Sequence, residues 1–264
     1  GDDHLAIYKW NGADADSFIN LEGEKVILQQ SYRVPQKIFN VANNIIKKVK
    51  NRVEKNWVPK EDLGEVKYHW EIDKVDLSEG EWLILARTNL FLEKIAYYLD
   101  QNDFYFQRRN STPRVKNIYS LIENWNKLRE GIPLHYNDYK KITNKMSKNV
   151  DLKSMKHMSK EDFYDIDTLK EKYGLKTNEE WYIAFDDLGD HEISKIQKLI
   201  KNGEDLSKDP RIKISTIHGV KGNERDNVVL ITDLSNAAYY KYLDNPDDEH
   251  RLFYVGVTRA KKEL

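Results

Sequence analysis

The 264-residue sequence predicts an α/β fold in which a parallel sheet is flanked by helices and interrupted by a helical insertion. Three observations predict it. Short apolar runs alternate with helix-length amphipathic segments at both ends of the chain, whereas residues 115–205 break that rhythm. Hydrophobic residues make up 39% of the chain, enough for one large domain or a core domain with a smaller insertion.

The chain opens on GDDHLAIYKWNGAD, Gly1 to Asp14, a dense Gly/Asp/Tyr/Trp cluster of the kind that leaves a buried strand for a functional loop, so a strand is expected upstream. EKVILQQ, Glu24 to Gln30, reads as a short strand. SYRVPQKIFNVANNIIKKVKNRV then reads as a loop and helix: Pro35 suits a first turn, and Ile38, Val41, Ile45 and Val49 share a face. Lys47, Lys48 and Lys50 complement that helix's C-terminal dipole. EVKYHW (65–70) alternates weakly, EWLILART (81–88) reads as a buried strand leading into the helix LFLEKIAYYLDQN, and FYF (104–106) as another short strand. IKISTIHGVKG (212–222) and NVVLITD (227–233) are two more strands joined by a Gly-containing loop.

Between them, Lys, Asn, Asp and Glu dominate 115–205, and segments such as VKNIYSLIENWNKLRE and DHEISKIQKLIKNG read as helices. The last segment, EHRLFYVGVTRAKKEL, reads as a helix to the end of the chain with no closing strand. Leu252, Val255, Gly256 and Arg259 share one of its faces, and Phe253, Val257 and Ala260 an adjoining one, so the helix should be buried. Burying Arg259 demands an anionic partner, because an unpaired buried charge is costly.

Composition removes several function classes. The chain has no cysteine, which excludes disulfides, thiolate nucleophiles and Cys-based zinc sites. A net charge of −1 with 33% charged residues gives no strong overall positive field. The basic stretches 47–60 and 140–160 and the acid-rich 161–192 read as solvated faces. No apolar run approaches the ~18 residues of a membrane span and no leader pattern is present, so a cytoplasmic protein with no membrane partner is expected.

Four segments in order, GDDHLAIYKWNGAD, LQQSYRVP, ISTIHGVKGNERDNVVLI and RLFYVGVTRA, resemble motifs III, IV, V and VI of the UvrD/Rep family of superfamily 1 DNA helicases. The resemblance implies a RecA-like parallel sheet, the second motor domain of such a helicase. It divides the chain into residues 1–20, the tail of the first RecA-like domain and hinge; 21–114 and 206–264, the two parts of the second RecA-like domain; and 115–205, a helical insertion. None of the 12 glycines is followed by lysine, so a phosphate-binding loop is absent from these residues and is expected, with the Mg²⁺-binding acids, upstream.

By that resemblance, Arg33 and Arg259 reach the γ-phosphate of ATP as catalytic cations, Tyr32 stacks on adenine, and Glu224 senses the nucleotide. Tyr8 and Trp10 are implied base-stacking platforms for single-stranded DNA, with Arg87, Asn89, Thr216 and His218 as strand-end contacts. Tyr32 and Trp10 are otherwise core aromatics, His218 a structural histidine and Glu224 a surface carboxylate. The family's motif III usually carries glutamine where this chain has Leu5, which can form no hydrogen bond to couple nucleotide to DNA. The implied function is an ATP- and Mg²⁺-dependent helicase, moving 3′ to 5′ on single strands and single-strand/duplex junctions in DNA repair or replication, the fragment alone being inactive. A protein partner through the insertion is also implied. The alternative is a helicase-like module that binds DNA or protein without hydrolysis.

Overall fold

The computed structural model describes residues 2–8, 12, 15–23, 26–109, 111–220 and 222–264. Contacts divide the chain into two units: Gly1–Asn102, Phe106–Ser111 and Pro210–Leu264 form the first, and Asp103–Tyr105 with Thr112–Asp209 form the second.

In the first unit a 3₁₀ turn, Asp3–Leu5, precedes α1 (Ala15–Ile19) and α2 (Gln36–Ile46). The strand expected over 24–30 does not form among its described residues; Gln30 makes one isolated bridge to Val58. Val26 and Leu28 are 78% and 86% exposed, so no layer covers this run and its apolar residues gain nothing from a strand. In α2 the buried positions are Ile38, Ala42 and Ile46, followed by Val49, while Val41 and Ile45 are only half-buried. The helix is thus rolled relative to the predicted face, so that the small Ala42 faces the core. Residues 65–70 contribute a single bridge, Glu65 to Glu263.

β1 (Trp82–Ala86) is buried at all five positions, as expected of a central parallel strand, and leads through Thr88 into α3 (Asn89–Gln101). β2 (Phe106–Arg108) follows, two residues later than the expected FYF run.

The second unit holds α4 (Arg114–Arg129), β3 (Leu134–His135), α5 (Tyr136–Thr143), β4 (Phe163–Tyr164), α6 (Ile166–Lys172), α7 (Trp181–Ala184) and α8 (Asp190–Lys201). It is mainly helical, with one short antiparallel ribbon, β3–β4, that the sequence reading did not include. Two-residue strands lie below any periodic signal. Its core is its own, built on Trp125, Leu128, Tyr139, Ile142, Met146 and Phe185. The Trp125 indole N–H donates to the Glu179 carbonyl at 3.0 Å, so the largest buried ring is also polar-satisfied.

The chain returns to the first unit with β5 (Ile212–Thr216), a 3₁₀ turn at His218–Val220, β6 (Arg225–Leu230), α9 (Asn236–Asp244), α10 (Pro246–Val257) and β7 (Ala260–Glu263). The five-stranded sheet has the order β2-β5-β1-β6-β7 and every pairing is parallel. The predicted RecA-like α/β sheet flanked by helices is therefore present.

The chain's last residues correct the sequence reading. The helix stops at Val257 and β7 closes the sheet beside β6. Two bonds end the helix: the Thr258 hydroxyl donates to the Val255 carbonyl at 3.1 Å, and the Arg259 N–H donates to Gly256 O at 3.1 Å. The open edge of β6 then offers backbone partners that further helix could not use. Gly256 lets α10 cross the sheet closely: a Cβ there would lie 2.9 Å from a Leu230 methyl, which would have to shift. The core of this unit joins α2, β1, β6 and α10 through Ile38, Leu83, Leu85, Val228 and Val255. Among the described residues no helix is long and apolar enough to cross a membrane, and no cluster of His, Asp and Glu is arranged to hold a metal.

Candidate functional site

The parallel register sets two ends to the sheet. Thr216 lies opposite Ala86 at the C-terminal ends of β5 and β1, whereas Arg225, at the start of β6, lies opposite Ala260. Residues 217–224 leave β5 at one end and enter β6 at the other, a path of about 16 Å for a five-residue strand. The predicted site residues gather at these two ends.

At the β6 entry, Arg33, Glu224 and Arg259 come together. Arg33 Nη1 donates to Glu224 Oε2 at 3.0 Å. The Ser31 hydroxyl accepts the backbone N–H groups of Arg33 (3.3 Å) and Val34 (3.2 Å), fixing the turn that presents Arg33. Arg259 occupies the junction of α10 and β7 and is 3% exposed. Its Nε donates to the Val255 carbonyl at 2.9 Å and its Nη2 to the Thr258 hydroxyl at 3.3 Å.

The anionic partner expected for Arg259 is not there: among the described residues no carboxylate lies within ion-pair distance, and Glu224 is already paired with Arg33. Burial, and next the charge of Arg33, pull the Arg259 pKa from 12.5 down to about 10. Arg33 Nε is buried without a hydrogen-bond partner. Two guanidiniums thus share one carboxylate, a surplus of positive charge suited to an anionic ligand. Tyr32 beside them is 89% exposed, which removes the core alternative for that ring.

At the opposite end stand Tyr8, Arg87, Asn89, Thr216 and His218. Arg87 makes a two-pronged ion pair with Glu249 of α10, Nε to Oε2 at 2.7 Å and Nη2 to Oε1 at 2.6 Å. The Thr216 hydroxyl accepts the Gly219 N–H at 3.1 Å and so fastens the loop. A Cβ at Gly219 would come within 2.8 Å of the Ser215 hydroxyl, which explains glycine at this close approach. Tyr8 is half-buried, its hydroxyl donating to the His218 carbonyl at 2.5 Å, and the two rings lie 6.1 Å apart. Burial, and next the charge of Arg87, hold the His218 pKa below its ordinary value. Asn89 is exposed at the first turn of α3. Trp10 lies outside the described residues.

Sequence reasoning missed two members of these clusters, Glu249 and Tyr254. Glu249, which closes Arg87, belongs to no motif quoted for the site and is found only through folding. Tyr254, whose hydroxyl pKa burial raises, lies close enough to Arg33 and Arg259 to feel both charges. His4 packs its ring edge-on against Tyr254, at 5.4 Å between centroids, and its Nε2 lies 3.2 Å from the Val53 carbonyl. Leu5, beside it, packs half-buried against the apolar core.

The family of UvrD-like helicase C-terminal domains matches residues 85–264, which takes in the last two residues of β1, β2 through β7 and the whole second unit. The chain is also similar to the ATP-dependent DNA helicase PcrA of Bacillus subtilis (strain 168), with 31% identity over 88 residues, covering 31% of this chain and 12% of that protein. The matched stretch is thus a small part of that relative's length. With the family matched over more than half of its residues and the parallel sheet in place, the chain belongs to the UvrD-like helicase C-terminal domain family.

Proposed function

We propose that this chain supplies the second RecA-like half of an ATP-dependent DNA translocase, its residues 1–20 belonging to the first half and 115–205 forming an insertion. The observation that carries this reading is the pair of guanidiniums at the β6 entry, of which Arg33 is paired with Glu224 and Arg259 has no carboxylate among the described residues. Phosphoryl transfer needs cations placed around oxygens that gain charge, and Arg259 and Arg33 are two permanent cations with only Glu224 between them. In the reading, a nucleotide's terminal phosphates enter between the arginines, Tyr32 stacks on the base, and Glu224 exchanges Arg33 for the sugar or a phosphate-bound group. Mg²⁺ and the phosphate-binding loop come from outside these residues.

Single-stranded DNA is assigned to the other end of the sheet. Tyr8 offers a ring and Asn89 and His218 polar groups, while Arg87 and Thr216 hold the loop and strand ends in position; Trp10 is assigned a base-stacking role by likeness to the family alone. The 217–224 segment spans both ends, a physical route by which nucleotide state moves the DNA contacts. Movement 3′ to 5′ and action at single-strand/duplex junctions, in repair or replication, follow by likeness to the family, and the insertion is the proposed face for a protein partner.

DNA-stimulated ATP hydrolysis by the full-length protein tests the reading. Turnover that rises with single-stranded DNA supports it; the 264-residue chain alone should show none. A second reading, binding of DNA or protein without hydrolysis, is favoured by one observation: Leu5 packs into the core where a hydrogen-bonding side chain would couple the two sites. DNA binding without turnover in the full-length protein would select it.

A further inference from the structure

We propose that Arg109 is an additional contact for a backbone phosphate of single-stranded nucleic acid, extending the DNA edge of the sheet onto β2; the inference rests on the DNA reading above. Arg109 follows β2 with a backbone φ of +53°, the left-handed region that a residue with a Cβ adopts only at a cost and that glycine or asparagine ordinarily fills. Its N–H donates to the Ile214 carbonyl at 2.8 Å, so the ladder to β5 pins the backbone in that state. Arginine held where glycine would be cheaper points to work done by the side chain.

The side chain is exposed and unbalanced. Its neighbours along the chain are paired, Arg108 with Glu93 at 2.6 Å and Arg114 with Glu192 at 2.6 Å, but among the described residues Arg109 has no carboxylate partner. Instead Nη2 donates to the Asn89 side-chain oxygen at 3.3 Å, and Nε lies 4.0 Å from where a Cβ on Gly219 would sit. The guanidinium is therefore beside two of the predicted DNA elements, the first turn of α3 and the loop fastened by Thr216.

It also lines a narrow groove of about 40 Å³ together with Lys213, Gly219, Asn223, Glu224 and Arg225. Within this lining Glu224 pairs with Arg33 and Arg225 with Glu81 at 3.5 Å, whereas Arg109 has no carboxylate partner among the described residues. A backbone phosphate at Arg109 matches the charge, the planar donor set and the exposure.

The experiment measures affinity of the full-length protein for a single-stranded oligothymidylate across a salt series, with melting temperature, for the unmodified protein, Arg109→Gly, Arg109→Lys and the surface control Lys74→Gln. Arg109→Gly should weaken binding about tenfold, as for a charge-assisted hydrogen bond. It should also flatten the slope of log affinity against log salt by about 0.7, one single-strand phosphate contact. The same variant should melt no lower than the unmodified protein, because glycine suits the left-handed backbone. Arg109→Lys should retain most of the salt slope and Lys74→Gln should change neither readout. Unchanged affinity and slope in Arg109→Gly, with the unmodified protein binding normally, overturns the inference and leaves the DNA reading standing. A lower melting temperature in Arg109→Gly, with the slope intact, makes Arg109 structural and also overturns it. No binding by the unmodified protein overturns both.

Discussion

At one end of the sheet Arg87 is closed by a carboxylate; at the other Arg259, more deeply buried, has a carbonyl and a hydroxyl but no carboxylate. Both arginines touch or belong to the chain around α10, yet their environments ask opposite things of the charge. The Arg87–Glu249 pair is complete within the protein and fixes α10 against the end of β1. The Arg259 site is electrostatically incomplete and its pKa is depressed toward 10, so the protein holds a cation there at a cost to itself. In the proposed reading, the charge that the fold leaves unbalanced is met by the nucleotide.

That contrast can be broken first at Arg87. Arg87→Ala leaves the Glu249 side chain, 6% exposed, without its partner, and should destabilise the chain by about 3–5 kcal/mol, read as a large fall in melting temperature. Arg259→Ala should reverse the pattern. In the full-length protein it should cut ATP turnover by at least about two orders of magnitude, while its melting temperature falls far less than that of Arg87→Ala. A collapse in stability with Arg259→Ala would make it a structural arginine like Arg87, and unchanged turnover would remove it from the nucleotide site.

Smaller effects sharpen the DNA end. Trp10→Ala should lose about 1–3 kcal/mol of single-stranded DNA affinity per stacked base, with Trp10→Phe retaining most of it and neither changing melting temperature. If Trp10 were a core residue, Trp10→Ala would instead cost about 3–5 kcal/mol in stability with affinity per folded molecule unchanged.

The smallest effect is in pH. His4, His218 and His250 all have pKa values lowered, in each case first by burial and next by a cation: Lys55, Arg87 and Lys48 respectively. Each folded pKa lies below the unfolded 6.5, so the unfolded chain binds more protons between them. Stability is therefore full above 6.5 and falls as pH drops from 6.5 through the folded values. Thermal melts between pH 7.5 and 5 should show it, and His218→Asn should reduce the slope if the residue is held neutral as described.

The legible parts of this molecule were those whose signal is local. β1 is apolar at five consecutive positions and could only be a buried strand, and α3 and α4 carry their own periodicity. The nucleotide-site candidates were legible as motif letters, but their states were not: Ser31 in its turn, Arg33 on Glu224, and Arg259 without an acid depend on segments up to 226 residues apart meeting at the β6 entry. EKVILQQ and AKKEL show the failure from both sides. The first is apolar yet forms no strand among its described residues, because its apolar side chains are left exposed and its pairing is limited to one bridge from Gln30 to Val58. The second is charged yet becomes β7 because the edge of β6 is open.

By itself the sequence determined which segments could be buried, where helices could start, that no thiol chemistry is available, and which arginines and aromatics stand in functional order. Only the tertiary structure decided which of those charges are neutralised. An ion pair is a property of two distant positions and of the solvent they exclude. Glu249 could satisfy Arg87, and Glu224 could be spent on Arg33 rather than Arg259, only once α10 and the 217–224 segment had been laid across the sheet.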